Sequence, residues 1–362
     1  MSAPSPYPSP KGRGDSLAHN SPLPSGEKAG VMERKAVRAR TIRKFLIYTV
    51  LALLLWWALR TVPFIEIWEA LKGLKLWQIG ALLGLNAFVL VAMTARWWVI
   101  LRAENPALPF LQLVRYRLAV FGLSYFTPGP QMGGEPLQVI YLQRNHGVTF
   151  ARATAAVIMD KLLEFLANFI LLGVGLTAAV REGLIMQGST QAIGSLIPLA
   201  AILLWPLIHL VLLYRGQYPV SAVIRAAMSF TKKQKKWMRL IIISERMAGA
   251  FTRRHLGALL GALGFSLLAW AGMAAEYFMM AGFLQTRLTA GQTLAALTAA
   301  LFAFLMPLPG GLGALEASQV YVMTAFGHPG AIGIGISLLM RSRDILNGGL
   351  GLLLTGRGLR VQ

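Results

Sequence analysis

Residues 126–144 read FTPGPQMGGEPLQVIYLQR. Inside an otherwise apolar region, this stretch carries Pro128, Gly129, Pro130, Gly133, Gly134 and Pro136. Proline lacks the N–H donor and clashes with the preceding turn, and glycine costs backbone entropy, so no continuous helix runs through it. Residues 306–324, MPLPGGLGALEASQVYVMT, repeat the theme. At a shift of 181 positions, Pro128 falls on Pro309, Gly129 on Gly310, Glu135 on Glu316, Gln138 on Gln319 and Val139 on Val320. These are five identities in twelve positions, where average residue usage gives about one. Two matched, Gly/Pro-interrupted apolar segments in corresponding halves of a chain point to the binding site of a transporter.

Composition agrees with a chain that lives in a bilayer. It is 56% hydrophobic and 14% charged, with a mean hydropathy of +0.58. Soluble domains are about 25% charged, and long apolar runs without strand alternation make this an all-α polytopic membrane protein. The net charge of +21 does not imply nucleic acid, because the basic residues sit between apolar spans, where cytoplasmic loops collect them. The absence of cysteine excludes disulfides and thiol chemistry.

Residues 1–41 read as a disordered basic tail. Its first 31 residues are rich in Pro, Ser and Gly, and Met32 is the expected true start. Full spans are predicted over 45–59, 78–101, 153–180, 194–214, 255–283 and 330–354, and 71–77 reads as a short interfacial stretch. No small-residue cleavage site follows 45–59, so it reads as a retained helix rather than a signal peptide. Arg96, Trp97, Trp98 and Arg102 read as an interfacial anchor. Residues 215–255 form a basic cytoplasmic loop with ten Lys or Arg against the single Glu245, a net charge of +9. The chain closes with a cytoplasmic tail, 357–362.

Charge asymmetry sets the topology. The N-terminal tail, the loops 102–117, 144–152 and 215–255 and the C-terminal tail are basic and read as cytoplasmic. Loops 177–193 and 327–330 read as external. The first broken segment, 108–144, then begins and ends inside, and the second, 290–326, begins and ends outside. The expected architecture is about six full transmembrane helices plus two re-entrant hairpins in an inverted-topology repeat, 78–178 against 256–356.

Non-helical backbone at membrane depth must be buried in protein or line a wet cavity. Each PG turn leads into a half-helix, starting near Glu135 and near Ala314, whose free N–H groups suit phosphate or carboxylate. Gly129, Gly133, Gly134, Gly310 and Gly311 would let a head group approach the backbone. The turns could equally serve only to fold the hairpins. The second clue is intramembrane charge: Asp160, Lys161 and Glu164 on one span, Glu276 on another, and Arg341, Arg343 and Asp344 on the last. Lys161 can pair with Glu164 three residues on, and Glu276 stands alone on its helix. The 181-residue shift sets Asp160 on Arg341. Either these groups hold a substrate or they pair with one another and lock the bundle.

With these residues in view, the chain resembles the flippase-like transmembrane domain of bifunctional lysylphosphatidylglycerol synthases and the stand-alone membrane proteins of that family, over roughly 42–356. The residues that carry the resemblance are PGPQMGGEP, then Gly147 and Asp160-Lys161, and the P-G-G-x-G-x-x-E run 309–316 followed by Gly327 and Arg341. Lys161 stands where the family usually has Arg, and Gln138 where an Arg often follows the G-G-E. The chain ends eight residues after the last span, so the resemblance implies lipid translocation or binding without aminoacylation. The reading is a bacterial inner-membrane flippase-like transporter of a phospholipid or other charged-head-group lipid. Lys161, Arg341, Arg343 and the half-helix N-termini would hold phosphate. Glu135, Asp160, Glu164, Glu276 or Glu316 would hold a cation or coupling proton. Rival readings are a small-solute secondary transporter, a membrane-embedded enzyme, and a non-transporting partner of a lipid-modifying enzyme. No Walker A run, HExxH spacing or cofactor motif is present, so no catalytic residue, metal or cofactor is expected. The partners are membrane phospholipids, with the basic loop on the anionic leaflet, and the oligomeric state is open. In this cysteine-free chain, cysteines introduced at Asn145 and Gly327 should react with an impermeant thiol reagent from opposite faces of the membrane. Labelling of both from the cytoplasm would remove the inverted repeat.

Overall fold

The computed structural model describes residues 64–104, 107–126, 133–184, 204–231, 236–306 and 311–358. The expected tail, the first span 45–59 and the two hairpin tips, with Gly129 and Gly310, lie outside them. Residues 58–362 form one compact unit, which contains every described residue.

Its helices are α1 (Phe64–Lys72), α2 (Leu76–Glu104), α3 (Phe110–Phe126), α4 (Glu135–His146) and α5 (Phe150–Arg181). After them come α6 (Leu204–Tyr214), α7 (Pro219–Thr231) and α8 (Lys236–Arg254). Last are α9 (Leu256–Phe283), α10 (Ala290–Leu305), α11 (Ala314–Ala325) and α12 (Gly330–Gly358). No strand occurs among the described residues.

Local chemistry sets the ends. α3 stops at Phe126, two residues before Pro128, and α4 restarts with Pro136 in its first turn, where the missing N–H costs nothing. At the other end of α4, Val148 N donates back to Leu142 O at 3.3 Å, closing the helix around a left-handed Gly147. α10 opens on a reciprocal cap. Gln292 N donates to Thr289 Oγ1, and Thr289 N donates to Gln292 Oε1, both at 3.0 Å.

α2, α5 and α9 are the described helices long and apolar enough to cross a membrane. α6 and the first part of α7 would make a fourth only as one span bent by 90°. The protein is therefore a multi-pass helical membrane protein. Phe88 and Leu260 are 45% and 60% exposed, as lipid-facing side chains are. The stretch 71–77, expected as one interfacial segment, is instead the end of α1, a turn at 73–75 and the start of α2. The basic loop 215–255 is largely helical, as α7 and α8. Its single acidic residue, Glu245, is buried and accepts Val220 N at 3.0 Å and Ser221 N at 2.6 Å, so it caps α7. Charge counting alone hid the apolar residues that pack α8 against α5.

α2 lies along α9, α3 along α12, and α10 along α5. Lipid tails give helices no hydrophobic reason to associate, so close backbone approach matters more here than in water. At the α3–α12 contact, a Cβ on Gly351 would stand 1.9 Å from Leu118 O, and one on Gly122 would stand 2.6 Å from Gly348 O. Only hydrogen fits at either place. Gly351→Val should lower stability in detergent by about 1–3 kcal/mol through overpacking. Gly80→Ala, in a helical position with nothing near its Cβ, should raise it by about 0.5–1 kcal/mol. Thermal unfolding followed by circular dichroism measures both. Equal behaviour would mean that the α3–α12 contact is loose.

Candidate functional site

Asp160, on α5, is fully buried and held by two guanidinium groups. Arg96 on α2 donates from Nε to Oδ1 at 2.6 Å, and Arg117 on α3 donates from Nη1 to Oδ2 at 2.8 Å. One turn further along α5, Glu164 accepts Arg96 Nη2 at 2.5 Å, Arg117 Nη2 at 3.2 Å and Lys161 Nζ at 3.0 Å. Lys161 also sits 3.1 Å from Glu135 Oε1, at the start of α4. Three cations thus meet three carboxylates across four helices. Spacing along α5 explains the convergence: residues four apart share one face, so Asp160 and Glu164 present to the same pair of arginines.

A second network lies on α12. Arg343 donates from Nη1 to Glu276 Oε2 on α9 at 2.6 Å, and from Nε to Asp344 Oδ1 at 2.9 Å. Arg341, 1% exposed, pairs instead with Glu316 in the first turn of α11. Glu316 in turn accepts Gly313 N at 2.9 Å. Between the networks, Asn86 on α2 and Asn347 on α12 exchange amide hydrogen bonds of 3.0 and 2.9 Å.

Both networks open on one cavity of about 270 Å³, lined from α2, α3, α4, α5, α9, α10 and α12. Arg96, Arg117, Lys161 and Arg343 face it, as do Glu135, Glu164, Glu276 and Asp344. The remaining wall is largely apolar, with Phe121, Trp270, Met273 and Phe304. Among the described residues, three buried acceptors on its lining have no hydrogen-bond partner, Glu135 Oε1, Gln138 Oε1 and Glu276 Oε1, the first of them in ion-pair contact with Lys161. Such a chamber can take a small charged group against ion pairs while shielding it from lipid. No group of metal-ligating side chains occurs among the described residues.

Residues 43–346 match the family described as Lysylphosphatidylglycerol synthase TM region. The chain belongs to that family. It is 25% identical over 316 residues to the UPF0104 membrane protein PH1989 of Pyrococcus horikoshii, covering 81% of this chain and 89% of that protein. It is 31% identical over 103 residues to a UPF0104 membrane protein of Methanothermobacter thermautotrophicus, 28% of each chain. No solved structure matches.

Several expectations for this member of the family change. Arg96 and Trp97 are not interfacial anchors. They are 2% and 0% exposed, and Arg96 is the central cation of the first network. Trp98 and Arg102 do stack at the helix end, with the guanidinium 4.6 Å from the ring centroid. Arg117 belongs to the cavity, not to a cytoplasmic loop. Glu276 is paired with Arg343, although it is the one charge on its own helix. Arg341 is not salt-bridged to Asp160, the residue the shift sets on it; its partner is Glu316. Lys161 and Arg341, 180 residues apart, each hold a glutamate in the first turn of a short helix, Glu135 or Glu316. The pairing of Lys161 with Glu164 is as expected.

The glycines and half-helix starts also have packing and capping contacts of their own. Gly134 N donates to Ser124 Oγ at 2.9 Å, and a Cβ there would stand 2.5 Å from Val120 O, so Gly134 serves close packing of α4 on α3. Gly311 is buried with φ +64° against α10, while Gly133 is exposed. At the N-terminus of α11 the Glu316 carboxylate already takes Gly313 N.

Removing one member of a buried ion network strands its partner, at a cost of about 3–5 kcal/mol. Arg96→Met should therefore destabilise the protein by that order in detergent unfolding. Asp160→Asn introduced with it should recover much of the loss. Additive losses in the double-mutant cycle would show that Asp160 does not depend on Arg96.

Proposed function

We propose that the protein binds the charged head group of a membrane lipid in the cavity and translocates it across the bilayer. One observation carries this reading: eight acidic or basic side chains line one chamber among membrane helices, and the rest of its wall is largely apolar. Ionised groups on membrane spans are costly and are kept where they meet a substrate or each other. The volume suits a head group rather than a whole lipid, since drug-sized ligands need about 300–1,000 Å³. The acyl chains would stay in the bilayer. Membership of the lysylphosphatidylglycerol synthase transmembrane family supports a lipid over a soluble substrate.

We infer for the same reason an inverted-topology repeat with six full spans and two re-entrant hairpins, both termini cytoplasmic. Several observations support it. α2, α3, α4 and α5 start at 76, 110, 135 and 150, and α9, α10, α11 and α12 start at 256, 290, 314 and 330. Their lengths run 29, 17, 12 and 32 residues against 28, 16, 12 and 29. The contacts α3–α12 and α5–α10 are the pairs that a two-fold exchange of the halves would interchange. The basic helices α7 and α8 would lie against the anionic cytoplasmic leaflet, where each basic residue contributes about 1 kcal/mol.

Purified protein in proteoliposomes should scramble or flip a fluorescent phospholipid, measured by dithionite quenching of the outer leaflet. Lys161→Gln should slow this about tenfold or more, since a hydrogen bond to a charged group contributes about 1.5–3 kcal/mol. Loss of transport with intact folding supports the reading. Wild-type protein that moves no lipid but counterflows a zwitterionic solute such as betaine would make it a small-solute carrier.

A further inference from the structure

We propose that Glu276 is a proton-binding site through which the proton gradient is coupled to transport. The inference deepens the transport reading by naming its energy source. It rests on charge matching and on one oxygen atom.

Around Asp160 the first network is neutral, three cations against three carboxylates. Arg341 and Glu316 cancel one to one. That leaves Arg343 alone between two carboxylates, Glu276 and Asp344. The undescribed hairpin tips, 127–132 and 307–310, contain no ionisable side chain that could make up the difference. α10, packed on α9, carries none either. Among the described residues lining the cavity, one negative charge is therefore in surplus, and an isolated ionised carboxylate inside a membrane is driven to neutralise itself.

The two carboxylates are not equivalent. Asp344 Oδ1 takes both Nε and Nη2 of Arg343, at 2.9 and 2.8 Å. Glu276 receives a single bond, on Oε2, and its Oε1 has no partner among the described residues. Glu276 is 2% exposed and lines the cavity. The charged groups around it are Arg343 and Asp344 on α12. Across the chamber are Arg96 on α2, Arg117 on α3, Glu135 on α4, and Lys161 and Glu164 on α5. Tyr277 beside it is turned to Gln319, and Tyr125 on α3 reaches the same cavity. A proton on Oε1 neutralises the surplus without needing room for an ion. On release, the O–H bond breaks, its electron pair stays on Oε1, and the proton passes to water entering the cavity. The carboxylate then stands charged against Arg343.

The test reads the proton directly on the full-length purified protein, without any substrate. Difference infrared spectra between acid and alkaline pH should contain a protonated-carboxyl C=O band that disappears in Glu276→Gln and persists in Asp344→Asn. Should Glu276→Gln fail to fold, Glu276→Asp should keep the band but shift its titration midpoint. A band unchanged in Glu276→Gln, or lost only in Asp344→Asn, overturns the assignment. In proteoliposomes, an imposed pH gradient should change the rate of fluorescent-phospholipid movement in the wild type and not in Glu276→Gln. Indifference of the wild type to the gradient overturns the coupling. A protein that titrates at Glu276 but moves no lipid under any gradient keeps the proton site and overturns both coupling and lipid transport.

Discussion

Asp160, with no exposed surface and two arginines upon it, is the contact on which the first half of the fold depends. Arg96 comes from α2 and Arg117 from α3, and the neighbouring Lys161 reaches Glu135 on α4. Four helices are thereby fixed in rotation and in height. Apolar surfaces cannot do this in a bilayer, because one lipid-facing leucine is as good as another. An ion network can, because sliding a helix by one turn, about 5.4 Å, removes every bond at once. The desolvation of so many ions makes the network a poor source of net stability, and its value lies in specifying one arrangement.

The two short helices, α4 and α11, follow the same logic. Each carries a glutamate in its first turn, and each glutamate is gripped by a cation on the following long helix, Lys161 or Arg341. Glu316 does two jobs, capping α11 through Gly313 and holding Arg341. A carboxylate at a helix start is favoured by the dipole, and one that also binds a guanidinium ties that short helix to a long one. In the proposed repeat, these two latches would be the equivalent points at which the halves could move.

What the sequence disclosed follows from the range of the forces involved. Helices α2, α5, α9 and α12 were readable because hydropathy and breakers act within a few residues. The half-helix starts at Glu135 and Ala314 were readable from the Gly/Pro runs. Lys161 with Glu164 was readable because the two are three apart. The partners of Arg96, Arg117 and Glu276 were not, since they lie 64, 43 and 67 residues away in the chain. Arg96 beside two tryptophans looks the same from sequence whether it snorkels to an interface or turns inward. The 181-residue shift matched the hairpin glutamates but set Asp160, rather than Lys161, on Arg341. In the proposed repeat, one residue of slip between the broken segment and the long helix is enough to change the sign of the inferred partner.

Every guanidinium facing the cavity already has a carboxylate, and this shapes how a head group could bind. A phosphate entering the chamber meets no free cation among the described residues. It must take Arg343 or Lys161 from a carboxylate, and the displaced carboxylate must find another positive charge. Binding is then an exchange of like interactions, not the filling of an empty charged site, and its net free energy is small even though each charge-assisted bond is strong. A carrier needs that balance, because a substrate held at the full strength of a desolvated arginine would not leave on the other side. The surplus carboxylate fits the same scheme. A site that changes its own charge by one proton can tip an otherwise even exchange toward loading or release.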